Sequence, residues 1–249
     1  MNVLYVINIS IASSALMLMI LGLLLVLIIP SKDTWSKTFF IVFFSIMILY
    51  AATSIVSWSF SYLIRAALIS RIALFVESLA SSVLIPLLTL YLHHCWGEDA
   101  KKSPLMLVTG ALWVFYFLLL VAAQFTRWIY YYSPEQEYQR GAFYPLLLVP
   151  LVVSLLVNLA ALIQKREKLT AKQYYAFLVY LASPMLAMLL QMRFYGLSLI
   201  DFATAFAAHC GECRQARDES LHRSASRLDP DASHGCRQRD HRGGQRSRV

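Results

Sequence analysis

Long apolar segments, separated by short polar turns, recur along this chain of 249 residues and constrain its fold more than any other feature. A helix needs about 20 apolar residues to cross the hydrocarbon core of a bilayer. Six segments reach the required length: 3–29, 39–62, 72–92, 105–125, 144–163 and 174–192. The first of them is too long for the apolar core of a signal peptide, and no basic residue precedes it. The sequence therefore predicts an all-α, polytopic membrane helix bundle with six full spans.

Composition excludes the soluble classes for most of the chain. Hydrophobic residues make up 59% and charged residues only 14%, whereas a soluble domain is about half apolar and a quarter charged. So few charges cannot cover this much apolar surface in water. The net charge of +8 reflects lysines and arginines in loops and in the C-terminal tail, and basic loops are typical of membrane proteins. We therefore expect the lipid bilayer, and no nucleic acid, as a partner.

A seventh apolar segment is incomplete. It begins at residue 195 and loses its apolar character after residue 208. A helix of this length is roughly 21 Å long, which is short of the bilayer core of about 30 Å. Residues 209–249 then contain nine arginines, no lysine and no aromatic residue. The sequence thus predicts a multi-span membrane domain over 1–208 and a disordered basic tail over 209–249.

The abrupt start of the tail has three interpretations. A reading-frame shift near codon 208 explains both the loss of lysine and the early stop of the seventh span. A zinc site is the rival, but the tail offers few apolar residues to pack around a metal. A basic tail bound to anionic lipid is the third, and six interleaved acids weaken it. We expect no metal site and no cofactor, although the candidate zinc ligands are Cys210, Cys213, Cys236 and His241.

The lysines and arginines of alternate loops predict the orientation. The loops that follow the first, third and fifth spans carry eight of these residues, and the other loops carry five. The more basic loops face the cytoplasm. The N-terminus is therefore predicted outside and the loop 164–173 inside. The outer loop 126–143 carries Trp128 and three consecutive tyrosines, which suit a membrane interface.

Polar side chains within the predicted spans suggest a site near the outer surface. Asn158 and Gln191 are expected to form interhelical hydrogen bonds. Glu77 and Asp201 are ionisable, and such groups face the bundle interior or a cavity because they are costly in lipid. Both lie roughly 9 Å below the outer boundary. The hypothesis is an outward-facing polar pocket that binds the stimulus, formed by Glu77, Asp201, Arg71, Arg140, Gln191 and Arg193. A purely structural cluster of ion pairs is the alternative.

The adjacent residues His93, His94 and Cys95 follow the third predicted span and invite a metal interpretation. Neighbouring side chains on a helix point about 100° apart, so they converge poorly on one ion. We instead expect amphipathic side chains at the cytoplasmic boundary.

Motifs in the C-terminal half resemble a known family. The segment 138–200 combines YQRG at 138–141, the basic loop KREKLTAKQ at 165–173, Ala-Ser-Pro at 182–184 and YGLSL at 195–199. It resembles the multi-span sensor region that precedes the Gly-Gly-Asp-Glu-Phe domain of bacterial diguanylate cyclases, and related regions precede some sensor histidine kinases. The resemblance implies a signal-input domain in the inner membrane of a bacterium, with an unknown small-molecule or envelope stimulus and a homodimer as a candidate assembly.

The catalytic signatures of these enzymes do not occur in the sequence. We therefore expect a truncated signalling protein without enzymatic activity or catalytic residues. A small transporter or channel is the alternative, but it needs a continuous polar path, and the polar residues concentrate toward the outer half. An intramembrane enzyme needs a catalytic set within the spans, where Glu77 and Asp201 are the candidate acids.

Overall fold

Six long helices make up most of the described part of the molecule. A computed structural model describes residues 3–28, 33–60, 67–126, 130–132, 138–141 and 143–193, all within one compact unit. The predicted seventh span and the tail lie outside the described residues. The helices are α1 (Val3–Ile28), α2 (Thr34–Phe60), α3 (Ala67–Trp96), α4 (Pro104–Phe125), α5 (Tyr144–Gln164) and α6 (Ala171–Arg193), with short 3-10 turns at Ala100–Lys102 and Arg166–Lys168.

The six helices coincide with the six predicted spans, which confirms the helical character of the bundle. Helices α1 to α5 are long and apolar enough to cross a membrane by length and composition. Only 17–39% of the most apolar stretch of each is buried inside the bundle, so most of its apolar side chains face outward. Such surfaces indicate a multi-pass membrane protein, because lipid accommodates them and water does not. Membrane crossing by α6 and the partial seventh span remain predictions.

A small β-hairpin lies in the predicted outer loop, between α4 and α5. Strand β1 (Tyr130–Tyr132) pairs antiparallel with β2 (Tyr138–Arg140), and Tyr131 lies opposite Gln139. Aromatic residues favour extended backbone. A two-stranded ribbon also pairs the backbone N–H and C=O groups of a loop. The described part of the fold is thus all-helical as predicted, apart from this short hairpin in one connection.

Helix α3 is the central helix of the bundle, in contact with α2, α4 and α5. It contributes to three apolar clusters. The first joins α1, α2 and α3 around Phe44 and Met47. The second joins α3, α5 and α6 around Leu92 and Leu162, and the third joins α4 and α5 to half-buried residues of α3 around Leu120. A displacement of α3 therefore affects every one of these clusters.

Helices α1 and α2 approach each other closely at Gly22. A Cβ atom at this position would lie 2.5 Å from a ring carbon of Phe44. The Phe44 side chain is fully buried, so it has little room to move away. The close packing of α1 on α2 therefore depends on glycine at this point.

Helix α3 ends one turn later than predicted, and this turn positions the site described below. The helix continues through Trp96, and Gly97 follows with a φ of +68°. The N–H of Gly97 donates to the carbonyl of His94, and the N–H of Glu98 donates to the carbonyl of His93. This is a Schellman cap, which glycine favours because other residues are strained at positive φ. The predicted end was too early because two histidines interrupt the apolar run.

Candidate functional site

Three connections meet at one end of the bundle, here called the loop end. They are the start of α2 at Asp33, the segment 97–103 after α3 and the segment 165–170 after α5. They belong to the loops whose basic residues predict a cytoplasmic location. Polar contacts join them across 61 to 70 positions of sequence. These contacts form the loop-end clamp, which consists of the side chains of Asp33, His94, Glu98, Lys165 and Lys168.

Asp33 caps helix α2 and pairs with α3. Its Oδ1 accepts a hydrogen bond from the N–H of Trp35 at 3.1 Å. Its Oδ2 accepts from the Ser36 hydroxyl at 2.5 Å and lies 3.0 Å from Nε2 of His94. A carboxylate suits this position because the first N–H groups of a helix lack partners within the helix. The Ser36 hydrogen bond is the main cause that lowers the pKa of Asp33, and His94 and the Trp35 N–H add to it.

Aromatic rings support the His94 side of the clamp. The Trp35 indole stacks on the His94 imidazole, with 3.8 Å between ring centroids. Tyr91, almost one turn before His94, stacks on Phe39 of α2 at 4.4 Å and contacts Phe177 of α6 at 5.5 Å. Aromatic pairs contribute about 0.5–1.5 kcal/mol beyond the area they bury. Rings as well as charges therefore join α2, α3 and α6 at the loop end.

Glu98 binds both lysines of the α5–α6 connection. Its Oε2 accepts from Nζ of Lys165 at 2.5 Å, and its Oε1 accepts from Nζ of Lys168 at 2.7 Å. The Lys165 ammonium also lies 4.8 Å from the centroid of the Trp96 ring, a favourable cation–π distance. Lys165 first, and Lys168 after it, lower the pKa of Glu98 to about 2. The carboxylate is therefore ionised at neutral pH, and it ties the end of α3 to the segment before α6.

A buried polar pair joins α3 and α5 inside the bundle. The Thr89 hydroxyl donates to Oδ1 of Asn158 at 2.8 Å, and Nδ2 of Asn158 donates to the Ser154 carbonyl at 2.8 Å. Both Thr89 and Asn158 are fully buried. The predicted interhelical hydrogen bond of Asn158 is thus confirmed. It holds α3 and α5 in register, because separating them would leave polar groups unpaired in an apolar interior.

The two adjacent histidines have opposite environments. His94 is exposed and faces Asp33, whereas His93 is 0% exposed. Nδ1 of His93 lies 2.9 Å from the carbonyl oxygen of Thr89, four residues earlier on the helix. The prediction that neighbouring side chains diverge is confirmed. The expectation of an amphipathic boundary side chain is wrong for His93, because the extra turn of α3 keeps this residue inside the bundle.

Two side chains of the predicted outward-facing pocket are described. Arg71 is exposed, and its Nη2 donates to the Gln124 carbonyl at 3.1 Å, in the last turn of α4. Glu77 is half-buried on the same helix as Arg71. The six-residue step between them turns the helix through about 240°, so the two side chains leave α3 in different directions. Arg71 thus provides a hydrogen-bond donor and a positive charge at the C-terminal end of α4, where a cation is favourable.

The other members of the predicted pocket lie wholly or partly outside the described residues. Arg140 lies in β2, with its backbone opposite Tyr130. Gln191 and Arg193 lie in the last turn of α6. The side chains of these three residues, and all of Asp201, are outside the description. The pocket therefore stays a prediction.

The loop-end clamp was not predicted from the sequence, although parts of it have local signals. Asp33 followed by Ser36 is a pattern typical of a helix start. Gly97, three residues after His94, is typical of a helix end. No local signal pairs Glu98 with Lys165, because they are 67 positions apart.

The arrangement at the loop end is suited to holding connections together. Its polar groups pair with one another: Asp33 with His94, and Glu98 with Lys165 and Lys168. In the part of the chain that the structure describes, no three side chains of His, Cys, Asp or Glu are grouped as metal ligands. The clamp is therefore a mechanical contact between helices, with strength set by charge pairing and ring stacking.

Comparisons with known proteins found no relative. No family model, no curated protein and no solved structure matches the chain. The resemblance to the sensor regions of diguanylate cyclases rests on the quoted motifs alone.

Proposed function

We propose that this protein is a membrane signal-input domain, in which a change in the helix bundle is passed to the segment that follows α6. The loop-end clamp is the observation that carries the proposal. Glu98, at the end of the central helix, binds Lys165 and Lys168 directly before α6. A movement of α3 therefore acts on α6 through a defined contact.

The energy scale of the clamp suits a switch. An exposed ion pair contributes about 0.2–1 kcal/mol. A ligand that binds one state of the bundle a few kcal/mol better than another is therefore sufficient to open or close such pairs. The buried pair of Thr89 and Asn158 resists separation more strongly, and it keeps α3 and α5 together while the loop end rearranges.

The proposed stimulus site is the predicted pocket at the end of the bundle opposite the loop end. Glu77 of that pocket lies on the same helix as His94 of the clamp. Between these residues the helix rises roughly 26 Å, close to the bilayer core of about 30 Å. A single helix thus connects a stimulus on one side with the clamp on the other. The arginines of the pocket favour a carboxylate ligand, which they bind in a bidentate manner.

A small transporter or channel is the second candidate, and buried polar residues on α3 support it. Thr89 and His93 are buried toward the loop end, and Ser70 and Ser82 are buried further along the helix. Polar groups therefore extend beyond the outer half that the sequence pattern emphasised. The Ser82 hydroxyl nevertheless donates to a carbonyl of its own helix, and the Thr89 hydroxyl donates to Asn158. Because those groups have partners, they present less of a path to a solute, and signal input is the first candidate.

A distance measurement at the loop end tests the proposal. Spin labels are attached at Lys101 and Arg166, two exposed residues outside the clamp, in the full-length protein with its native cysteines replaced by serine. The protein is placed in lipid nanodiscs, and succinate is the probe because its carboxylates suit the predicted arginine pocket. We expect succinate to change the label-to-label distance. Glu77→Gln abolishes the change while the amount of folded protein in the membrane stays normal.

Transport makes a different prediction. Proteoliposomes that contain the protein would take up labelled succinate, whether or not the label distance changes. Acetate, aspartate and citrate extend both measurements to other carboxylates. A constant label distance with all four compounds, together with no uptake, would contradict both candidate functions for carboxylates.

A further inference from the structure

We propose that His93 and Trp96 form a buried site for one small uncharged protic molecule, of which water is the smallest. This site is independent of the proposed signalling role. The two side chains are 0% and 6% exposed. Nε2 of His93 and Nε1 of Trp96 have no hydrogen-bond partner among the described residues. Buried polar atoms are nearly always paired, so two unpaired atoms on successive turns of one helix indicate a shared ligand.

The partner of the other ring nitrogen fixes what His93 offers. Nδ1 lies 2.9 Å from the Thr89 carbonyl oxygen. A carbonyl oxygen only accepts, so Nδ1 carries the proton, and in the neutral ring Nε2 presents a lone pair. The indole N–H of Trp96 only donates. The two open positions are therefore complementary, and their ligand donates to His93 and accepts from Trp96.

The separation of the two rings suits a ligand that bridges them through one oxygen atom. The centroids of the rings are 5.2 Å apart, with an angle of 67° between the planes. Two hydrogen bonds through a single oxygen reach across up to about 5.8 Å between nitrogens. A ring separation of this size lets one hydroxyl oxygen lie within hydrogen-bond reach of both nitrogens, and it favours a small group over a large one.

The surroundings of the site select an uncharged ligand. Trp96 belongs to an apolar cluster with Leu92 and Leu162, and an ion is costly in such surroundings. The Lys165 ammonium lies over the Trp96 ring, which disfavours a second cation nearby. The ligand class is therefore water or an alcohol of one or two carbon atoms.

Thr109 is another buried side chain whose Oγ1 lacks a partner among the described residues, but it lies too far from His93 to share the ligand. The contacts of Trp113 with Ser82 and of Tyr116 with Ser78 set the register of α4 on α3. This register places Thr109 about two turns of α3 away from His93. The proposed site therefore consists of His93 and Trp96 without Thr109.

Nuclear magnetic resonance of the histidine ring tests the site directly. Full-length protein with 15N-labelled histidine is placed in lipid nanodiscs, and the His93 signals are assigned with His93→Phe. We expect a ring protonated at Nδ1, with Nε2 accepting a hydrogen bond, and magnetisation transfer from water to this ring. Trp96→Phe keeps an aromatic ring but removes the donor. It is expected to shorten the residence of the bound molecule roughly fivefold to tenfold.

Matched measurements separate the possible outcomes. His94→Phe alters the exposed neighbour and is expected to leave the His93 transfer unchanged. Addition of 13C-methanol distinguishes the two ligand sources, because transfer from the methyl group identifies an alcohol and transfer from solvent alone identifies water. A proton on Nε2, a direct coupling between the Trp96 N–H and His93, or transfer from neither molecule would overturn the proposal. Magnetisation transfer to the His93 ring in the unsubstituted protein tests the site even where Trp96→Phe does not fold.

Discussion

The loop end and the opposite end of the bundle are held by different kinds of contact. At the loop end, side chains pair with side chains, as Asp33 does with His94 and Glu98 with Lys165. At the opposite end, Arg71 donates to the Gln124 carbonyl, and the hairpin pairs backbone with backbone. Side-chain pairs depend on the identity and charge of both residues, whereas backbone acceptors are present at every position. Single substitutions and pH should therefore affect the loop end more strongly.

Orientation gives the largest expected difference between the ends, because it is all or none. A reporter that is active only in the cytoplasm is fused after Lys168 in one protein and inserted within 135–137 of the outer loop in another. The basic residues of the loop end predict activity for the first fusion and none for the second. Equal activities, or the reverse pattern, would contradict the predicted orientation.

Replacement of the glycine that ends α3 should have the next largest effect. Gly97 has a φ of +68°, and a side chain is strained there, so Gly97→Ala should lower the free energy of unfolding by about 1–2 kcal/mol. Gly110→Ala in α4 is the matched control, since an added Cβ meets no atom within 4 Å at either position. The control should be neutral, or more stable by up to about 1 kcal/mol. Thermal unfolding in detergent measures both, and equal effects would refute the role of the cap.

The pairing of Glu98 with two lysines predicts a smaller effect that depends on pH. The folded-state pKa of Glu98 is lowered to about 2, whereas its ordinary value is about 4.3. The pairing therefore stabilises the protein fully above the ordinary value, and this contribution is lost as the pH falls through the folded-state value. At pH 7, Glu98→Gln should cost about 0.2–1 kcal/mol in the free energy of unfolding. The difference from the unsubstituted protein should narrow steadily on acidification.

Glu167→Gln is the control for this measurement, because Glu167 is exposed in the same connection as the two lysines. It should leave the free energy of unfolding unchanged. Salt near 1 M should also reduce the effect of Glu98→Gln, since it screens exposed charges over about 3 Å. A pH-independent cost of Glu98→Gln would mean that packing, and not charge, holds this part of the clamp.

An effect no larger than that of Glu98→Gln is expected at the opposite end. Arg71→Gln removes a cation from the C-terminal end of α4, which should cost about 0.3–1 kcal/mol at low salt. Its cost should add to that of Glu98→Gln within about 0.3–0.5 kcal/mol, because the two sites share no partner among the described residues. Chemical unfolding of the single and double variants measures the sum. A larger deviation would show that the two ends are coupled energetically.

Much of the fold could be predicted because crossing a membrane is a local requirement. A run of apolar residues must be helical in lipid, since every backbone N–H and C=O group needs a partner within the segment. The predicted spans accordingly coincide with α1 to α6. Asn158 was predictable for the same reason, since a buried amide in an apolar helix needs a partner on a neighbouring helix. The hairpin was not predicted, because a polar loop outside the spans has no such requirement.

The candidate site was less predictable, and one turn of helix explains the difference. Sequence by itself determined that His93 and His94 point in different directions, because the helical repeat alone sets the angle between them. Only the tertiary structure decided that His93 is buried, that His94 meets Asp33 and that Glu98 meets Lys165. Hydropathy depends on neighbouring residues along the chain, whereas these pairs depend on which connections the packed helices bring to the same end. The last turn of α3 lies where the local pattern weakens, and its position is fixed by contacts with residues more than 60 positions away.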